Sequence, residues 1–156
     1  MISIITKIPI KQAIKIVRDI TDNETTKLVK VCLNSTYFSF RGNIYEQIEG
    51  ITMGSPLSPI VANIYMDFFE KEALQSFPLQ LKWWIRFIDN TNIDWSHGRE
   101  NLNKLLDHLN SRSDHIKLTM EVEEENIISF IDVLIRKNVD GSLGHQVYRK
   151  KKHTER

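Results

Sequence analysis

Q-I-E-G-I-T-M-G-S-P-L-S-P-I-V-A-N-I-Y-M, residues 47–66, changes character halfway along. Its first half holds Gly50, Gly54 and Pro56 among small hydroxyl residues, a composition that favours a structured loop over Glu49–Leu57. Its second half turns apolar at helical spacing. Ser58-Pro59 opens a long helix through Ile60, Val61, Ile64, Phe68 and Leu74 that stops before Pro78. Gly50 and Gly54 let the backbone take conformations closed to other residues and let another molecule approach closely. Ser55 and Ser58 add hydroxyls, and a helix N-terminus offers free N–H groups and positive partial charge to an anion. The stretch could therefore cradle a phosphate or a nucleic-acid backbone. The plainer alternative is a tight loop leading into a core helix.

Downstream lies a second informative stretch, W-W-I-R-F-I-D-N-T-N-I-D-W at residues 83–95. Lys82–Asp89 and Ile93–Trp95 are aromatic and β-branched, with Asn90-Thr91-Asn92 between them, which predicts a hairpin. Asp89 then falls where a strand meets a turn, a place that can hold a carboxylate at a sheet edge for a metal ion. Asp-Asn also simply favours turns. Whether Asp94 shares a face with Asp89 depends on the register.

Around these stretches the pattern alternates between helix and strand. Ile10, Ala13, Ile14 and Val17 predict a helix beginning at Pro9 and running to about Ile20. Leu28, Val31 and Cys32 mark another, begun near Asp22–Thr25. Tyr37–Phe40 and Ile44–Ile48 flank Arg41-Gly42-Asn43, a hairpin signal. Leu102, Leu105, Leu106 and Leu109 fall on one face of a helix from about Arg99 to Asn110. Three strands are expected at Lys117–Val122, Ile127–Arg136 and Leu143–Tyr148, with Asp140-Gly141 marking the last turn. The order predicts an α+β fold, an antiparallel sheet with helices packed on one face.

Composition excludes several classes. The 156 residues are 41% hydrophobic and 26% charged with a net charge of +1, ordinary for one globular domain and silent about partners. The long uncharged stretch Ile51–Met66 contains Pro56, Pro59, Asn63 and three Ser or Thr residues, so no membrane partner is expected. Cys32 is the only cysteine, which rules out an internal disulfide and suits an intracellular setting, nucleus or cytoplasm. The five histidines show no ligand-like spacing. Positive charge clusters at Arg149, Lys150, Lys151 and Lys152, either a solvated tail or a phosphate contact.

Taken together, residues 47–66 and the R-F-I-D-N-T of residues 86–91 resemble two successive blocks of reverse transcriptases, most closely those of Penelope-like retroelements. T-K-I-P-I-K-Q-A-I at 6–14 looks like the segment after the family's first catalytic block. M-E-V-E-E-E-N-I-I-S-F-I-D-V-L-I-R-K at 120–137 and D-G-S-L-G-H-Q-V-Y-R-K at 140–150 look like its passage out of the palm. The resemblance implies a partial right-hand palm over residues 1–156, with fingers, thumb and a GIY-YIG nuclease outside it. The expected sheet has about four to six antiparallel strands backed by two or three helices.

The resemblance also assigns roles. Such enzymes join nucleotides to a primer with two divalent cations, Mg²⁺ or Mn²⁺, held by carboxylates, with an RNA template and a DNA primer as partners. Gln47, Gly50, Gly54, Ser55, Pro56 and Ser58 fall where template and nucleotide are lined, with Arg149 and Lys150 as further nucleic-acid contacts. Phe87-Ile88-Asp89-Asn90 falls on the Y-x-D-D block, with Asp89 as metal ligand and catalytic residue. Asn90 stands where the second aspartate belongs, and the family's first catalytic aspartate falls just ahead of Met1. The expectation is a fragment without polymerase activity. The alternatives are a retained nucleic-acid-binding module and a clipped gene model of a longer polyprotein.

Overall fold

A computed structural model of the chain describes residues 7–52 and 54–149. Among the described residues the fold is α+β, with four helices and small antiparallel sheets, and it divides into two compact units. Met1–Thr6, Met53 and the basic residues from Lys150 onward lie outside the described residues.

The first unit, Met1–Gln80 with Trp95–Leu118, holds the helices. Helix α1 (Ile10–Ile20) follows Pro9, which serves as its cap in extended conformation and not as its first helical residue. Helix α2 (Asn23–Asn34) is capped by Asp22, whose Oδ1 accepts from Thr25 N at 2.8 Å. A short hairpin follows, β1 (Tyr37–Phe40) and β2 (Asn43–Glu46), turning on Arg41 and Gly42. Both turn residues have positive φ, 51° and 81°, as a two-residue hairpin turn with the twist of its strands requires. Helix α3 (Leu57–Gln75) and helix α4 (Gly98–Ser111) complete the unit.

Its main core gathers Ala13, Ile14, Ile16 and Val17 of α1, Val29 and Leu33 of α2, and Val61, Ala62, Tyr65, Met66 and Phe69 of α3, with Ile8, Ile51 and Ile116 from the loops. Tyr65 fastens α3 to α1 by donating to Gln12 Oε1 at 2.9 Å, and burial raises its phenol's pKa. The helices stand where the sequence puts them, but two present different faces. In α2 the buried residues are Thr26, Val29 and Leu33, while Leu28, Val31 and Cys32 are exposed. In α3 Ile60 and Phe68 are exposed, and the buried stripe runs through Val61, Ala62, Tyr65, Met66, Phe69 and Ala73. Spacing fixes that a helix exists. Which stripe is inward depends on the neighbours it packs against.

The second unit, Leu81–Asp94 with Thr119–Arg156, holds β3 (Trp83–Phe87) and β4 (Asn90–Asp94) as one hairpin. Strands β5 (Ile127–Phe130), β6 (Val133–Lys137) and β7 (Leu143–Val147) form a three-stranded antiparallel meander. The described strands of the chain thus form three separate sheets, in place of the single sheet expected.

Two further expectations are corrected here. Ile127–Arg136 is two strands, broken at Ile131-Asp132, where Ile131 takes a φ of 58°. Among the described residues, Lys117–Val122 joins no ladder. The Asn110 side chain instead donates to Leu118 O at 3.0 Å and accepts from Leu118 N at 2.6 Å, so an amide supplies the pairing a strand neighbour would give.

Candidate nucleic-acid and metal site

The loop before α3 is built from internal hydrogen bonds. Gln47 N donates to Thr36 O at 2.9 Å, and Thr36 Oγ1 returns a bond to Gln47 O at 3.2 Å. The Gln47 amide then donates to Glu49 O at 2.8 Å and to Gly50 O at 3.1 Å, closing the loop's first turn. Gly50 is buried with a φ of 71°, a conformation that favours glycine. Ile51, the next residue, is itself buried in the core. Gly54 is exposed with a φ of 96°, and a side chain there would meet nothing within 4 Å. Its glycine is therefore required by backbone conformation and not by crowding within the chain.

The start of α3 differs from the expected anion cradle. Leu57 N donates to Ser55 Oγ at 3.3 Å and Ser58 N to Ser55 O at 3.1 Å, while Pro56 and Pro59 carry no N–H. The donors that a helix start normally offers are thus already used or missing through Pro59. Helix α3 also begins at Leu57, so Pro59 falls inside its first turn, where the missing N–H costs nothing. Ser58 is 1% exposed, and its hydroxyl donates to Thr52 O, holding the loop against the helix. Gly54 and Pro56 are exposed and Gln47 and Ser55 half-buried, while Gly50 and Ser58 are buried.

In the β3–β4 hairpin the turn falls on Ile88-Asp89, because Phe87 pairs with Asn90. It lies ahead of the Asn90-Thr91-Asn92 segment that composition favoured. Ile88 takes a φ of 53°, unusual for a β-branched residue, and Asp89 projects from an exposed turn. Asn90 is the first residue of the return strand. Asp94 pairs with Trp83 at the far end of that strand, and its carboxylate is held by Lys82 Nζ at 2.9 Å. The opposed faces follow from the register. Trp83, Ile85 and Phe87 are exposed on one, and Trp84 and Arg86 are half-buried on the other.

Mg²⁺ takes oxygen ligands in near-octahedral geometry and prefers carboxylates. Asp89 brings one carboxylate, Asn90 brings an amide, and Asp94 is committed to Lys82. Among the described residues, no cluster of three or more His, Cys, Asp or Glu could hold a metal ion. The residues described here therefore do not fit a two-metal centre.

Arg149 is exposed, and Lys150 lies outside the described residues. The histidines with contacts serve the fold: His108 Nε2 lies 3.0 Å from Ala73 O at the C-terminal end of α3, and His97 Nε2 lies 2.9 Å from Gln80 O. Arg112 reaches the same helix end through Ser76 Oγ. Among the described helices, none is long and apolar enough to cross a membrane.

Sequence reasoning missed the strained turn, although a signal was present. F-I-D occurs twice, at 87–89 and 130–132, and both copies form a hairpin turn with isoleucine at positive φ.

The described residues thus combine, in an α+β chain, a Gly-Ser-Pro loop entering a long helix with a carboxylate-bearing hairpin turn further along the sequence. The family described as reverse transcriptase (RNA-dependent DNA polymerase) matches residues 6–132, and the chain belongs to that family. Its members generally use divalent metal ions and bind nucleic acid. No curated protein matches the chain.

Proposed function

We propose that the chain is a palm-derived portion of a reverse transcriptase, of the Penelope-like kind, in which two-metal nucleotidyl transfer is impaired. One observation carries this reading: the exposed Ile88-Asp89 turn leads directly into Asn90, so one carboxylate stands where the family's block has two. Carboxylates at this turn would hold the divalent cations, which would supply charge stabilisation for nucleotidyl transfer to a primer. An amide keeps the shape of aspartate but gives up its charge, and with it most of its attraction for a hard cation. In this reading Asp89 is the remaining metal ligand. Gly54, Ser55 and Pro56 line the template and nucleotide, with Gln47, Gly50 and Ser58 holding that loop in shape. Arg149 and Lys150 contact the nucleic-acid backbone, and the partners are an RNA template and a DNA primer.

A manganese titration of the full chain, followed by electron paramagnetic resonance, tests the role of Asn90. A unit charge about 4 Å from a divalent cation in water is worth about 2 kcal/mol, so Asn90→Asp should tighten Mn²⁺ binding more than tenfold. Asp89→Asn should abolish what binding the chain has. Equal affinity in the chain and in Asn90→Asp would show that Asn90 does not stand at a ligand position.

A further inference from the structure

The hairpin of the first unit carries chemistry that the site above does not use. All eight residues of β1 and β2 are exposed, although five of them are Tyr37, Phe38, Phe40, Ile44 and Tyr45. Exposed apolar surface of this density is uncommon unless something binds there. The register sorts it into two unlike faces. Phe38 opposes Tyr45 and Phe40 opposes Asn43 on one face, while Tyr37 opposes Glu46 and Ser39 opposes Ile44 on the other.

On the first face the rings are already arranged for stacking. Phe38 and Tyr45 lie nearly parallel, with centroids 5.6 Å apart and planes 20° from each other. They remain 51% and 44% exposed, so each keeps an open surface. Arg41, at the tip, sets its guanidinium 5.2 Å from the centre of the Phe40 ring. This face holds three aromatic rings, a guanidinium and an amide, and its strand residues include no carboxylate. The one carboxylate of the hairpin strands, Glu46, is on the opposite face. A protein partner would need only the apolar surface. The segregation of charge, with cation and rings on one side and anion on the other, matches a polyanion whose subunits are flat.

We propose that the Phe38–Phe40–Tyr45 face, with Arg41 at its edge, is a stacking platform for unpaired bases of single-stranded nucleic acid. Bases stack on aromatic side chains and on arginine planes without regard to sequence, because every base has a π face. Arginine adds attraction for the backbone. The proposal deepens the reverse-transcriptase reading by naming where an unpaired template or primer segment rests, and it depends on that reading for the class of partner. It does not depend on Asp89, Asn90 or any metal.

The test is fluorescence anisotropy of a labelled oligonucleotide of about 12 nucleotides, oligo(dT) or oligo(U), with the full chain at low salt and with EDTA present. Phe38→Ala and Tyr45→Ala should each weaken binding by roughly tenfold. Neither removes a charge, so the dependence of affinity on salt should keep its slope. Tyr37→Ala and Ile44→Ala, on the opposite face and more exposed still, should leave affinity unchanged. A duplex of the same sequence should bind more weakly than the single strand. Circular dichroism of each variant should match the parent, since none of these side chains is buried.

Unchanged affinity in Phe38→Ala and Tyr45→Ala, with the parent chain binding well, would overturn the platform and leave the nucleic-acid reading standing. No binding by the parent chain at low salt would remove both. Sedimentation supplies the remaining outcome. A dimer that Phe38→Ala abolishes and that the oligonucleotide does not displace would make this face a self-association surface and overturn the proposal.

Discussion

Replacing Ile88 by alanine and, separately, by glycine isolates the backbone of the turn that carries Asp89. Both variants remove the apolar side chain beyond Cβ, so the burial of those atoms cancels between them. What differs is the backbone. At ordinary φ, glycine is less stable than alanine by about 0.5–1 kcal/mol, because it loses more chain entropy on folding. At the φ of 53° held by Ile88, alanine carries the left-handed penalty of about 1–2 kcal/mol and glycine does not. At mid-range the difference leaves Ile88→Gly more stable than Ile88→Ala by about 0.75 kcal/mol, within a span of about 0–1.5 kcal/mol. Ile131, at φ 58° in the second F-I-D turn, should show the same inversion. Urea unfolding followed by tryptophan fluorescence reads the first pair, because Trp83 and Trp84 lie in the strand entering the turn. If Ile88→Ala equals or exceeds Ile88→Gly in stability, Ile88 is not left-handed and the turn does not fall on Ile88-Asp89.

Ser58→Ala leaves Thr52 O without its donor beneath the loop and should destabilise the first unit by about 1–3 kcal/mol in chemical unfolding. A loss within error would show that the loop is held by other contacts. Asp22 supplies a pH dependence of known sign. The Thr25 backbone N–H, then its hydroxyl, hold the Asp22 carboxyl below the ordinary aspartate value. The stability it gives is therefore full above about pH 4 and lost as pH falls through the lowered folded value. An NMR titration should find Asp22 depressed in the parent chain and restored towards the ordinary value in Thr25→Ala, whose backbone donor remains but whose hydroxyl is gone. An unshifted Asp22 would mean the cap is not formed.

Helix positions were legible because they rest on short-range signals: apolar spacing in α1 and α4, and Asp22 as a cap. The inward faces of α2 and α3 were less so, since Leu28 and Ile60 are as apolar as the residues that are buried. The two misplaced turns share one cause. Isoleucine favours strands, so a turn that forces Ile88 or Ile131 to positive φ is invisible to propensity. The strand expected at Lys117–Val122 failed for a different reason, a side chain from α4 satisfying the backbone at Leu118. At the candidate site, the Gln47–Ser58 loop and the Asp89 hairpin were found from their residues. That Ser55, Pro56 and Pro59 leave the helix start poor in donors depends on where α3 begins, which the sequence pattern placed one residue late.

The most direct test of the central claim is primer extension by the purified chain on a poly(rA) template with an oligo(dT) primer, in Mg²⁺ and again in Mn²⁺. With one carboxylate at the turn and Asn90 beside it, no extension above the enzyme-free background is expected with either ion. Sustained synthesis that requires this chain, and that Asp89→Asn abolishes, would contradict the claim that nucleotidyl transfer is impaired.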